Sequence, residues 1–306
     1  MKVAVIGGTG FVGSYIAESL VRDGHDVAML VRPGSEAKVP SDIPVTTTSG
    51  DIASSEALNA VLAGCDAVIY CVGILRAYPR QGITFENTQY EGVVRVVEAA
   101  IANDVRRFVL MSANGVRLQG TRYQATKRRA EEVVLGSGLS ATVLRPSVIF
   151  GDPRGRMEFA TQLNRDMVQS PLPAIGFFNG WRPATGPVMM SPVHVADVAS
   201  AFSSVLTNDA SVGATYVIAG PEDLSWVEML RIIAAASGRK KWIVPCPISL
   251  MKLAATLLDW LPFFPVTRDQ LTMLAENNVG DPAVLESLIG RASRAFTPCN
   301  LAYLTS

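Results

Sequence analysis

Three glycines near the start of the chain have the spacing of a loop that could hold a phosphate. Val3 to Ile6 is an apolar run of the kind found in buried parallel strands. Gly7, Gly10 and Gly13 follow it, and an amphipathic run from Tyr15 to Arg22 comes next. A glycine turn lets the backbone approach a pyrophosphate, whose charge faces the helix N-terminus. The order of strand, loop and helix predicts a dinucleotide site, and a glycine-rich turn without a ligand is the simpler alternative.

A tyrosine and a lysine four residues apart could exchange a proton with a substrate. Tyr123 and Lys127 open a helix that we expect to run to about Leu135, and residues at this spacing share one helical face. An ammonium group near a phenol lowers the pKa of the phenol, which suits acid–base work on a carbonyl or hydroxyl. The same spacing also arises by chance, and Lys127 to Arg129 could be only a solvated basic face.

Arg32 is the candidate determinant of cofactor choice. It follows a predicted second strand from His25 to Val31. In dinucleotide-binding folds an acidic residue about 20 positions after the glycines binds the ribose 2′-hydroxyl. Here Arg32 takes that place, and no carboxylate follows before Glu36. Because a guanidinium suits a 2′-phosphate, NADP(H) is favoured and NAD(H) remains possible, although a surface arginine would look the same.

Asp51 and Ile52 follow the predicted third strand, Pro44 to Thr48. Asp51 could contact the adenine, or it could cap the helix that begins near Ser54. The sequence leaves both interpretations open.

Small and polar residues also follow the fourth and fifth predicted strands. Val72 and Gly73 come after Ala67 to Cys71, and Ser112 comes after Arg107 to Met111. Ligands gather at the carboxyl ends of strands in open α/β sheets, so these residues could border a cofactor or substrate.

Short apolar strands alternate with helices through residue 150, which predicts an α/β fold with a Rossmann-type doubly wound parallel sheet. We expect residues 1–151, completed by about 191–220, to form the NADP(H)-binding domain. Residues 152–190 and 221–306 would form a smaller, interleaved substrate or partner region. Within these parts, we expect Asp197 to cap a helix, His194 to be structural, and Ser225 with Glu228 to form a capping box.

The composition narrows the range of partners and locations. The net charge is zero, so there is no electrostatic case for nucleic acid, and hydrophobic residues make up 49% of the chain. We expect no metal site and free thiols, because the cysteines lack close paired spacing. A strand at the very start predicts no signal peptide and a cytoplasmic location. Ile248 to Val266 is apolar but interrupted by Lys252, Asp259 and prolines, so it could lie against a membrane or another protein, or be an ordinary core helix.

The ordered set of motifs resembles the extended and atypical short-chain dehydrogenase/reductases, an NAD-dependent epimerase/dehydratase-like superfamily, over nearly the full length. The motifs are Gly7-x-x-Gly10-x-x-Gly13, Asp51-Ile52, Tyr123-x-x-x-Lys127, Arg145 to Gly151, and Val193 to Ala199. Within the superfamily the chain is similar to the nucleotide-binding accessory subunit of respiratory complex I and its bacterial relatives. That similarity rests on Met111 to Ala113, Leu144 to Gly151, and Phe264 to Leu271.

The resemblance implies NADP(H) lying across the strand ends, and it implies a role for each matching residue. The residues expected to cradle the pyrophosphate are Gly7, Thr9, Gly10, Phe11, Val12 and Gly13. Arg32 would meet the 2′-phosphate, with Val72 and Gly73 on the adenosine side. Tyr123 would be the acid/base and Lys127 would bind the nicotinamide ribose. Pro146, Ser147 and Val148 would border the nicotinamide.

One departure from the family pattern bears on activity. Active relatives have a serine or threonine near the end of strand five, and the alignment places Ala113 there. Ser112 is one residue earlier, and alternation along a strand would turn its side chain the other way. A register slip, making Ser112 catalytic, or Asn114 could restore the donor.

Two functions follow. The first is a protein that holds NADP(H) as a structural or sensing ligand, related to a complex I accessory subunit or an assembly role, with a membrane-associated protein complex as its partner. The alternative is an NADP-dependent reductase, epimerase or dehydratase that uses Tyr123 and Lys127. Its substrate would be hydrophobic (quinone- or isoprenoid-like) or a nucleotide sugar.

Overall fold

The computed structural model describes residues 1–74, 76–78, 82–180, 186–258 and 268–305. Contacts within the chain divide it into two units. The first comprises Met1–Pro146, Val195–Ile218 and Val284–Arg291. The second comprises Ser147–His194, Ala219–Ala283 and Ala292–Ser306. Each unit is therefore built from segments that are distant in sequence.

A seven-stranded parallel sheet forms the centre of the first unit. The strands of the described residues are β1 Lys2–Ile6, β2 Asp26–Val31, β3 Val45–Ser49, β4 Ala67–Tyr70, β5 Arg107–Met111, β6 Ser140–Pro146, β7 Ile149–Phe150, β8 Ala174–Phe178, β9 Met189–Met190, β10 Val193–His194, β11 Thr215–Ile218, β12 Leu224–Ser225 and β13 Ile243–Pro247. The order in the sheet is β11-β6-β5-β4-β1-β2-β3, and all its pairs are parallel. The predicted Rossmann-type fold is confirmed.

Helices flank this sheet and also build the second unit. They are α1 Phe11–Arg22, α2 Ser55–Leu62, α3 Gly92–Ala102, α4 Arg122–Leu135, α5 Phe159–Leu163, α6 Val195–Leu206, α7 Trp226–Ala236, α8 Ile248–Leu258, α9 Arg268–Ala275 and α10 Pro282–Ile289. A π-helical turn, Glu86–Glu91, leads directly into α3. On one face, α2, α3 and α4 pack their apolar residues against the central strands and bury the apolar side chains on that side of the sheet.

Arg107 is a buried cation that ties the sheet to later parts of the first unit. Its guanidinium donates to the Ser140 carbonyl (2.5 Å), Thr142 Oγ1 (2.6 Å), the Val205 carbonyl (2.6 Å) and Ser211 Oγ (2.7 Å). Burial lowers the pKa of Arg107. A buried charge is tolerated only when it is hydrogen-bonded, and these acceptors provide those bonds.

Two predicted helix starts have different outcomes. The capping box of Ser225 and Glu228 is confirmed at the start of α7. The prediction that Asp197 is a helix N-cap is wrong, because α6 begins at Val195 and Asp197 lies inside its first turn. Asp197 is fully buried, and its carboxylate pairs with Arg291 at 2.5 Å. The buried carboxylate is therefore matched by a long-range ion pair and does not serve as a helix cap.

The second unit has its own apolar core. Phe150, Trp226 and Phe296 are central members, and the His194 ring packs edge-on against Phe150 at 5.1 Å. That contact is consistent with a structural histidine. Of the segment from residue 248 to 266, α8 covers Ile248–Leu258 and the remainder lies outside the described residues. Across the part of the chain that the structure describes, no helix has the length and apolarity to span a membrane.

Candidate functional site

The glycine loop between β1 and α1 needs glycine for two separate reasons. Gly7 has φ +101°, a conformation that side chains disfavour, and a Cβ there would lie 3.0 Å from the Val72 backbone nitrogen. A Cβ on Gly13 would lie 2.1 Å from the Gly7 carbonyl oxygen. Gly10 is exposed, and its N–H donates to the Gly7 carbonyl at 2.9 Å. Gly7 thus makes the turn, Gly13 allows close packing, and Gly10 leaves the outer side of the loop open.

The N-terminus of α1 lacks a side-chain cap. Gly10 occupies the N-cap position, and the first turn contains no acidic residue. Thr9, Phe11 and Val12 are partly buried around it, and the Phe11 ring packs edge-on against Tyr15 at 6.0 Å. Free helix N–H groups and the helix dipole favour an anion at this point. The loop therefore fits a pyrophosphate.

Arg32 is exposed immediately after β2, as the sequence predicts. The nearby Glu36 carboxylate accepts a hydrogen bond from the Gly34 N–H at 3.1 Å. The Arg32 carbonyl accepts from the Ser35 N–H at 2.9 Å, so the turn that carries the arginine is internally hydrogen-bonded. The guanidinium thus lies on the surface at a strand end.

Asp51 does not cap α2. Ser54 is the N-cap and accepts from the Ala57 N–H, whereas Asp51 Oδ1 accepts from the Ala53 N–H at 3.0 Å. The capping interpretation is therefore wrong, because Ser54 already occupies that role. Ile52 is partly buried against the apolar core that the central sheet forms with α2, α3 and α4. Contact of Asp51 with an adenine stays a prediction.

Lys127 is a buried lysine at the predicted site. It is 5% exposed, and its Nζ donates to the Met111 carbonyl at 3.0 Å. A Cβ on Gly73 would lie 3.8 Å from Nζ, and the centroid of the Tyr123 ring is 5.8 Å from it. Burial lowers the pKa of Lys127 to about 8. The lysine, the tyrosine and the loop after β4 are therefore brought together.

The Tyr123 phenol is not activated by its lysine neighbour in this structure. Burial raises the pKa of Tyr123 above its ordinary value. The expectation that Lys127 lowers it is therefore wrong here, because desolvation is the dominant effect and the ammonium is hydrogen-bonded to the Met111 carbonyl. The ring packs edge-on against Phe85 at 5.9 Å.

Ser112 turns into the protein interior. It is 3% exposed, and its Oγ makes no hydrogen bond of regular geometry within the described chain. The Ser112 hydroxyl helps to lower the pKa of the Glu131 carboxylate. Ala113, the next residue, is only partly buried. The hydroxyl is thus enclosed, and a side chain without a donor takes the more open position.

Sequence reasoning missed Glu131, which fixes the position of α4. This carboxylate is fully buried and accepts from Arg145 Nε at 2.8 Å and Nη2 at 2.5 Å. Arg128 adds a third bond at 3.0 Å. Burial raises the pKa of Glu131, but the hydrogen bonds from Arg145 and its other partners outweigh burial, so the pKa is lowered. The sequence offered one indication of this role: Glu131 lies four residues after Lys127, so both share one face of the predicted helix.

Gln89, in the π-helical turn, is a second missed positioning residue. Its Nε2 donates to the Ile74 carbonyl at 2.8 Å, and its Oε1 accepts from Thr126 Oγ1 at 3.2 Å. Gln89 therefore connects the loop after β4 to α4. No sequence pattern distinguished it from an ordinary polar residue.

The remaining predicted residues divide between the two units. Val72 packs against the apolar core of the first unit, and Pro146 is the last residue of β6 in that unit. Ser147 and Val148 belong to the second unit, where Ser147 Oγ donates to the Asn278 carbonyl at 3.0 Å and Val148 packs in the core. The contacts with nicotinamide expected for these three stay predictions.

A family model described as NAD(P)H-binding matches residues 7–170. The chain belongs to this NAD(P)H-binding family. It is 27% identical over 286 residues to the mitochondrial NADH-ubiquinone oxidoreductase 40 kDa subunit of Neurospora crassa, covering 91% of this chain and 72% of that protein. It is also 27% identical over 259 residues to ceramide reductase of Caulobacter vibrioides, covering 84% of this chain and 77% of that one.

Solved structures give the same fold. UDP-glucose 4-epimerase of Thermus thermophilus, in complex with NAD, superposes with a TM-score of 0.72 at 20% identity. The match covers 100% of this chain and 98% of that one. The predicted relationship to epimerase/dehydratase-like short-chain dehydrogenases and to complex I subunits is confirmed, and so is dinucleotide binding.

Proposed function

We propose that this NAD(P)H-binding protein holds NADP(H) as a structural or sensing ligand and works with a membrane-associated protein complex. Two neighbouring residues carry the proposal. The Ser112 side chain is enclosed in the protein, and Ala113, at the position where a hydrogen-bond donor is expected, has none to offer. Losing one such donor removes about 2.7–4 kcal/mol of transition-state stabilisation in comparable oxyanion sites. The similarity to a complex I subunit supports the partner.

Specific residues would hold the dinucleotide. The glycine loop and the uncapped start of α1 would bind the pyrophosphate, and Arg32 would bind the 2′-phosphate. Lys127 would bind the nicotinamide ribose, beside Gly73. When bound, the nicotinamide could accept or deliver a hydride.

The proposal is tested by denaturing purified, untreated protein and identifying the released nucleotide by mass. We expect stoichiometric NADP(H) that survives long dialysis. Protein that is purified empty and exchanges NADPH readily would overturn the holding role. Such a result would leave NAD(P)H binding itself intact.

A second candidate is a reductase that acts on a carbonyl of a hydrophobic molecule. Tyr123 and Lys127 lie together, with 5.8 Å between the ring centroid and Nζ, and this favours it. The similarity to ceramide reductase gives it additional support. A hydrophobic ketone that stimulates NADPH oxidation would identify this activity.

Tyr123→Phe separates the two functions. NADPH affinity is expected to stay within about twofold of wild type, because the phenol is proposed to act on a substrate and not on the cofactor. In a reductase the turnover rate would fall by about 10²–10⁴-fold, since one proton-transfer group is lost. Tyr216→Phe, on the edge strand β11, is the matched control. A tenfold loss of NADPH affinity would assign the phenol to cofactor binding instead.

Arg32→Ala tests the cofactor preference. NADPH affinity is expected to fall by about 10–100-fold, because charge-assisted hydrogen bonds contribute roughly 1.5–3 kcal/mol. NADH affinity should be nearly unchanged, since NADH has no 2′-phosphate. Arg106→Ala, another exposed arginine of the same unit, is the control. Equal losses for both nucleotides, measured by fluorescence titration, would contradict the assignment.

A further inference from the structure

A projecting tryptophan follows three consecutive basic residues in the second unit. Trp242 is 83% exposed and comes directly after Arg239–Lys241. These four residues line one shallow cleft with the segment Pro171–Pro173, whose Leu172 is 70% exposed. We call Arg239–Trp242 together with Pro171–Pro173 the basic–tryptophan surface. It combines exposed apolar groups with positive charge, and it lies outside the predicted dinucleotide-binding residues.

Backbone hydrogen bonds hold this surface in shape. The Ala174 N–H donates to the Trp242 carbonyl at 2.8 Å, and β8 and β13 continue from there as a parallel pair. The Lys241 ammonium donates to the Ser170 carbonyl. Val244 lies on β13, two residues after Trp242, and is 50% exposed. Because side chains alternate along an extended chain, Val244 and Trp242 lie on the same side. The exposed apolar side chains are thus presented by ordered backbone.

Acidic neighbours do not neutralise this surface. Within the described ranges, no ion pair engages Arg239 or Lys240. Asp166, an acid close in sequence to Val168 of the cleft wall, pairs instead with Arg165 at 2.7 Å. The surface therefore keeps its positive charge.

We propose that the basic–tryptophan surface docks on an anionic phospholipid bilayer. Indole rings favour the layer between lipid headgroups and acyl chains, and lysine or arginine beside them attracts anionic headgroups. A ring that projects from the surface at 83% exposure can enter such a layer without a preformed pocket. The cations beside it would meet the headgroups at the same depth. Docking of this kind is peripheral and does not require dinucleotide binding.

The test is co-sedimentation of the full chain with vesicles. Vesicles of phosphatidylcholine alone are compared with vesicles of phosphatidylcholine and phosphatidylglycerol. We expect binding only to the anionic vesicles, weakened by added salt because screening reduces the attraction. Lys240→Glu is expected to lower the partition coefficient by roughly tenfold or more, since it removes one attractive charge and adds a repulsive one. Trp242→Ser should weaken binding in both low and high salt.

Two controls make the result specific. Arg106→Glu and Leu118→Ser alter an exposed cation and an exposed apolar residue of the first unit, and both should bind vesicles like wild type. Circular dichroism and NADPH titration of every variant show that it is folded. Absence of wild-type binding to anionic vesicles would overturn the lipid assignment, as would equal losses in Lys240→Glu and Arg106→Glu. The first outcome would point to a protein partner, and the second to attraction by the overall charge of the protein; both would leave the proposed nucleotide role untouched.

Discussion

Gly13→Ala is expected to unfold the cofactor loop and to abolish dinucleotide binding. The new methyl group would lie 2.1 Å from the Gly7 carbonyl oxygen and 2.8 Å from Gly8 Cα. Both contacts are with backbone, so neither can be relieved by rotating a side chain. Overpacking in a close-packed region costs about 1–3 kcal/mol, and a backbone clash belongs at the upper end. Displacing the loop N–H groups that are proposed to bind the pyrophosphate should weaken NADPH binding by at least about 100-fold.

Gly10→Ala is the informative comparison. Its Cβ would meet only the Gly7 carbonyl oxygen, at 3.1 Å, and Gly10 is exposed. We expect thermal stability close to wild type and a large loss of NADPH affinity, because the methyl group would stand where the pyrophosphate approaches. Thermal unfolding and fluorescence titration measure the two effects separately. Unchanged affinity in Gly10→Ala would show that the phosphate binds elsewhere.

Lys127→Met is expected to stabilise the cofactor-free protein at neutral pH while removing most of its NADPH affinity. Burial lowers the pKa of Lys127 from 10.5 to about 8, so the charged form is disfavoured in the folded state. A shift of this size corresponds to a stability cost on the order of 3 kcal/mol at pH 7. The Met111 carbonyl loses its partner in the variant, which offsets about 1 kcal/mol of the gain. The net increase in the free energy of unfolding should be about 2 kcal/mol.

The difference in the free energy of unfolding between Lys127→Met and wild type is expected to shrink as the pH rises. Between pH 8 and 10.5 the unfolded chain binds a proton at Lys127 that the folded protein has released. Raising the pH through this window therefore stabilises wild type relative to Lys127→Met, and the advantage of the variant disappears. Urea unfolding at several pH values measures it. Lys240→Met, at an exposed lysine, should show no such convergence. A wild type that is more stable than Lys127→Met at pH 7 would contradict the prediction.

The predicted sheet agreed with the structure because its signal is local. Runs such as Val3 to Ile6 and Phe108 to Met111 are apolar and short, so pattern alone identifies them. The spacing of Gly7, Gly10 and Gly13 likewise identified a loop whose geometry requires glycine. Such features depend on neighbours a few residues away.

What the sequence did not reveal depends on residues far apart along the chain. Asp197, predicted as a helix cap, lies in the first turn of α6 and pairs with Arg291, which is 94 residues away in sequence. Glu131 and Gln89 look like ordinary polar residues until Arg145 and Ile74 are placed beside them. The raised pKa of Tyr123 likewise reflects burial, which the spacing to Lys127 cannot indicate.

The hydrogen bonds of Arg107 bear on how the chain is made by the ribosome. Two of the acceptors, the Val205 carbonyl and Ser211 Oγ, lie 98 and 104 residues further along the chain. β11, which completes one edge of the sheet, comes later still at Thr215–Ile218. A nascent chain that ends before Ser211 must either leave this guanidinium in water or bury it with acceptors missing. The first unit therefore reaches its native stability only after the segment 147–194 of the second unit has already emerged.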